Sequence, residues 1–114
     1  MARLPNAEKA IIDAEKLRGY ILSSAHPVGR FKAAFFRKLG YTSDNWESLE
    51  QSLRSLVNSH DAREVEETQY GKKYVVRGPF IGPTGERVQI VTVWIILTGE
   101  SVPVFITAYP GGLS

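Results

Sequence analysis

Six side chains in this chain have the types that phosphate chemistry requires: His26, Arg30, Lys32, Arg37, Thr107 and Tyr109. Cleavage of a phosphodiester without a metal needs a base, an acid, a cation for the crowded phosphate and polar groups that orient it. His26 would be the base, because a neutral imidazole can take a proton from a ribose hydroxyl. Lys32, with Arg30 and Arg37, would bind phosphate. Thr107 and Tyr109 would orient the substrate or return a proton. From His26 to Gly40 there are four cations (Arg30, Lys32, Arg37, Lys38) and no acid. A local basic face of this kind suits a phosphate-bearing ligand, and it also suits a solvated helix.

Other chemistries find little support. There is no cysteine, so disulfides, thiolate zinc sites and cysteine nucleophiles are absent. No Gly-x-Ser-x-Gly occurs, and Gly78-Pro-Phe-Ile-Gly-Pro-Thr-Gly85 matches neither phosphate-binding glycine pattern. Asp61, Glu64, Glu66 and Glu67 could gather a cation, but they read better as charges that keep an edge strand from pairing. No cofactor is expected. His60 lies in a polar Asn-Ser-His-Asp turn and reads as a solvated loop residue.

The elements that must position these groups follow from periodicity. Asp13 suits the N-cap of a helix running to about Leu22, with Leu17 and Tyr20 or Ile21 buried. Pro27 suits the first position of a second helix, with Val28, Phe31, Phe35 and Leu39 on its apolar face and Gly40 as its left-handed stop. Asp44 and Glu47 have capping-box spacing for a third helix, about Asn45 to Val57, with Trp46, Leu49, Leu53, Leu56 and Val57 inward. Strands are expected over Ala62 to Gln69 and Lys73 to Gly78, with a turn at Tyr70-Gly71-Lys72 and a loop over Phe80 to Gly85. A strong hairpin closes the chain: Arg87 to Leu97, a turn through Gly99, and Val102 to Pro110. Arg87 to Leu97 is apolar on both alternating faces, so it should be central.

The fold class expected is α+β, one domain over residues 1–114, with two or three N-terminal helices packed on a four-stranded antiparallel sheet. At 114 residues the chain can build one real core. Its net charge of +2 says little by itself about partners. The longest apolar run, Ile90 to Leu97, is too short to span a bilayer. The opening Met1-Ala-Arg-Leu-Pro-Asn6 lacks the apolar stretch of a signal peptide, so the expected compartment is cytoplasmic.

Leu4-Pro-Asn-Ala7, His26-Pro-Val-Gly-Arg-Phe-Lys32 with Phe36 and Leu39-Gly40, Thr92-Val-Trp-Ile95 and Pro103-Val-Phe-Ile-Thr-Ala-Tyr-Pro110 resemble a family of small uncharacterised bacterial proteins, a domain of unknown function. The element order also resembles the superfamily of barnase, EndoU-like, colicin-type and RelE-like ribonucleases. That second resemblance implies a toxin-like ribonuclease, with His26, Lys32, Thr107 and Tyr109 in the site. RNA would be the substrate, and a small acidic antitoxin or immunity-type protein a partner. Two rival expectations are a non-catalytic interaction module that uses an exposed sheet face or edge, and a binder with a pocket between Trp46 and Trp94.

Overall fold

The computed structural model describes residues 2–27 and 29–111, except for the side chains of residues 29–31. Val28, named above as a core residue, lies outside the described residues, and so do the side chains of Arg30 and Phe31.

Helix α1 (Ala14–Lys16) begins where Asp13 Oδ1 accepts the Glu15 N–H at 2.9 Å. It then widens into a single π turn over Leu17–Ile21, closed by Leu22 N–H donating to the Leu17 carbonyl. Helix α2 spans Gly29–Lys38, and Pro27 lies in a turn ahead of it rather than in the helix. It ends in a Schellman motif: Tyr41 N–H reaches the Phe36 carbonyl and Gly40 N–H the Arg37 carbonyl. Gly40 has φ +97°, a conformation that favours glycine. Helix α3 spans Trp46–Ser59. Its entry is set by a capping box between Thr42 and Asn45 around a 3₁₀ turn, not by Asp44 and Glu47: the Asn45 side chain accepts the Thr42 N–H at 2.7 Å.

Strands β1 (Ala62–Thr68), β2 (Gly71–Ile81), β3 (Arg87–Leu97) and β4 (Val104–Pro110) form an antiparallel meander in the order β1-β2-β3-β4. β2 is longer than its sequence suggests, because it runs through Pro79 to Ile81. β1 pairs with β2 only as far as Val76. Beyond that point β2 has an open side, where the missing N–H of Pro79 is tolerated. β3 is central, as its two apolar faces require.

The core lies between the helices and one face of the sheet. Leu49, Leu53, Leu56 and Val57 of α3 meet Val76, Ile90, Trp94, Phe105 and Ala108. Helix α2 contributes Ala33, Phe36 and Leu39, whereas Phe35 is only half-buried, so its stripe is rotated from the one expected. Thr92 is fully buried: its Oγ1 donates to the Val76 carbonyl and accepts from Trp94 Nε1, each at 2.8 Å. Trp94 is therefore core, and the ring of Trp46 carries Arg18 at 5.5 Å.

A β-bulge separates the Trp94↔Phe105 and Val93↔Thr107 pairs. It lets Phe105 and Ala108, three residues apart, both enter the core. The outer edge of β4 is covered in part by Ile11, which pairs in parallel with Val104.

Candidate functional site

Lys32 lies one turn before Phe36 on the inward side of α2, and its stem is partly buried. Its Nζ donates to Tyr20 Oη at 2.6 Å and to Thr107 Oγ1 at 2.8 Å. Thr107 Oγ1 also lies 3.5 Å from Tyr20 Oη, so the three polar atoms close a triangle. Each comes from a different element: the π turn, α2 and the edge strand β4. The ammonium also sits 4.9 Å from the centre of the Tyr20 ring. The His26 ring packs against that ring in a T-shaped arrangement, with the centroids 5.0 Å apart.

These contacts alter Tyr20 electrostatically. Its hydroxyl is held below the ordinary tyrosine pKa, chiefly by the hydrogen bond from Lys32 and then by the one from Thr107. Burial opposes the shift, and the charges of Lys32 and Lys16 add to it. An acidified phenol beside an ammonium and an imidazole can pass protons and hold an anion.

Of the residues singled out from sequence, Lys32, Thr107 and, through the Tyr20 ring, His26 are brought together. Tyr109 is two residues beyond Thr107 on β4, is 39% exposed, and among the described residues makes no hydrogen bond to this group. Arg37 is exposed on α2, five residues and about 140° round the helix from Lys32. The side chain of Arg30 is outside the described residues. Tyr20 is the member that sequence reasoning passed over, having weighed it only as an alternative to Ile21 in the buried stripe.

His60, read above as a solvated residue, is half-buried instead. Its Nδ1 lies 3.0 Å from Ser59 Oγ, and its ring lies over Gly78, where a Cβ would come within 3.0 Å of it. It lines a separate cleft with the serines of α3 and with Pro79 to Ile81. Among the described residues, no three His, Asp or Glu side chains gather as metal ligands, and no helix is long and apolar enough to cross a membrane.

Residues 3–112 match a family described as Domain of unknown function (DUF6883). No curated protein matches the chain. Among solved structures, it is similar to a chain of a contact-dependent growth inhibition toxin–immunity protein complex from Klebsiella pneumoniae 342, with 23% sequence identity and a TM-score of 0.68. The match covers 88% of this chain and 98% of that one, and it shows a shared fold.

Proposed function

The chain belongs to this family of domains of unknown function, and from its fold and its site we propose that it is a toxin-like ribonuclease that cleaves RNA by acid–base chemistry without a metal. The observation that carries this reading is the Lys32 ammonium, bonded at once to Tyr20 and Thr107 beside His26.

In this reading His26 takes the proton from a ribose 2′-hydroxyl. The 2′-oxygen forms a bond to phosphorus as the bond from phosphorus to the 5′-oxygen breaks, leaving a 2′,3′-cyclic phosphate. Tyr20, with its lowered pKa, gives a proton to the departing 5′-oxygen. Lys32 neutralises the charge that builds on the phosphate oxygens, with Arg30 as a further phosphate ligand, while Arg37, about 140° round α2, would meet only a neighbouring phosphate of the RNA chain. Thr107 holds the ammonium and orients the phosphate. Proton exchange with water then restores His26 and Tyr20.

The test is incubation of purified protein with a labelled single-stranded RNA in excess EDTA. The expected product carries a cyclic phosphate; His26→Ala abolishes its formation and Lys32→Ala slows it strongly. Intact RNA after prolonged incubation with folded protein would sink the reading.

A second reading is a non-catalytic module that binds an immunity-type protein. What favours it is the outer face of the sheet, where Val93 and Ile95 are half-buried and Leu97 is 43% exposed. It predicts a stable complex whose assembly is insensitive to Lys32→Ala.

A further inference from the structure

The register of the sheet puts more than Thr107 on one surface. Cross-strand partners in an antiparallel sheet point to the same face. Arg63 pairs with Val75, Val75 with Val93, and Val93 with Thr107, which is one continuous row across all four strands. The adjacent row runs Arg77, Val91, Tyr109. The core residues Val76, Thr92 and Ala108 lie in the alternate row, so both of these rows face away from the helices. Tyr20 and Lys32 reach Thr107 from the edge of β4.

This outer face is basic. By register and alternation it carries Arg63, Lys73, Arg77 and Arg87 against a single carboxylate, Glu66, which lies 3.4 Å from Lys73. Among the described residues, neither Arg63 nor Arg77 is in an ion pair with a carboxylate, and both are exposed. Arg77 donates one N–H to the Gly111 carbonyl. A guanidinium has further donors to offer a second acceptor. Tyr109 exposes its ring on the same face. Neighbouring strands are about 4.8 Å apart, so Arg77 lies roughly 10 Å from Tyr109.

We infer that the outer sheet face is a tract for single-stranded RNA, running from Thr107 past Tyr109 to Arg77 and Arg63. Exposed aromatic rings flanked by cations are the pattern of single-strand binding: the ring stacks a base of any sequence and the cations hold the backbone. The tract rests on the ribonuclease reading for its choice of ligand. It gives Tyr109 a role for its ring rather than for its hydroxyl, and it gives Arg63 and Arg77 a role that the hydrogen-bonded site does not need.

The experiment is fluorescence anisotropy of a labelled 2′-O-methyl RNA, which cannot be cleaved, titrated with the full chain over a range of salt. Tyr109→Ser should weaken binding about tenfold, whereas Tyr109→Phe should bind like the wild type. Arg63→Gln and Arg77→Gln should each weaken binding and lower the salt slope by about 0.7, the value per phosphate contact for single strands. Lys9→Gln, on the N-terminal turn, serves as the control for charge loss alone. Circular dichroism establishes that each variant is folded.

Unchanged affinity in folded Tyr109→Ser and Arg63→Gln overturns the tract, even if the wild type cleaves RNA. Binding that depends on these residues without any cleavage supports the tract and removes the enzymatic reading instead. If the RNA fails to bind while polyglutamate binds in an Arg63- and Arg77-dependent way, the face serves an acidic protein and the tract is overturned.

Discussion

Lys32 and Thr107 stand 75 residues apart in sequence, and their side chains meet at 2.8 Å. Tyr20 completes the contact from the N-terminal side, 12 residues before Lys32. A helix, a π turn and an edge strand thus converge on one ammonium group. The convergence has consequences that can be measured with or without a substrate.

One is spectroscopic. The chain has five tyrosines. Tyr20 should ionise below the ordinary value of about 10. A near-UV phenolate titration of the wild type should show an early step that is missing in both Tyr20→Phe and Lys32→Met. A wild-type curve that superimposes on that of Tyr20→Phe would refute the assignment.

The same shift affects stability. Because the folded pKa of Tyr20 is the lower one, its ionised form favours the folded state. The contribution is complete above the unfolded value near 10 and is lost as pH falls through the lowered folded value. Urea midpoints compared across this alkaline window should show wild type gaining on Tyr20→Phe as pH rises. A constant difference would contradict the linkage.

Activity provides a further check. If the site cleaves RNA, Lys32→Ala should lower kcat by roughly 10²–10³-fold, the usual cost of losing a preorganised charge-stabilising donor. Lys32→Arg should not restore it, since a planar guanidinium cannot reproduce one ammonium bonded to two hydroxyls. Full activity in Lys32→Arg would mean that bulk charge, not this geometry, matters.

Two predictions concern the scaffold. Thr92→Val removes the acceptor of Trp94 Nε1 and the donor to the Val76 carbonyl in a fully buried place. It should cost about 1–3 kcal/mol in urea denaturation. A neutral result would imply that water enters the site.

Gly78→Ala would bring a Cβ to 2.5 Å from Leu56 Cδ1 and to 3.0 Å from the His60 ring. Overpacking of this kind should cost about 1–3 kcal/mol and displace His60. An unchanged urea midpoint would show that the α3–β2 contact is loose.

The order of elements was legible in the sequence, because Gly40, Asp13 and the β3–β4 hairpin carry strong local signals. What misled was local chemistry with a near equivalent close by. Thr42–Asn45 and Asp44–Glu47 both have capping-box spacing, and the fold uses the first. Pro79 looks like the start of a loop unless β1 is known to stop pairing at Val76. Lys32 and Thr107 could be named from residue type alone. Tyr20 could not, because the π turn alters the helical period: with Leu17 and Ile21 both fully buried, Tyr20 is left at the rim rather than in the core. Which face of β4 carries Thr107 depended on the bulge before it, and no turn residue marks that bulge.

The triangle of Tyr20, Lys32 and Thr107 also bears on when the site is assembled. Lys32 and Tyr20 precede Thr107 by 75 and 87 residues, so the triangle exists only once β4 is in place beside α2 and the π turn. A nascent, unfolded or threaded chain therefore carries no assembled site, and a fragment ending before β4 has no Thr107 to offer. If the proposed chemistry resides here, it needs β4 docked, so completed folding would be its precondition.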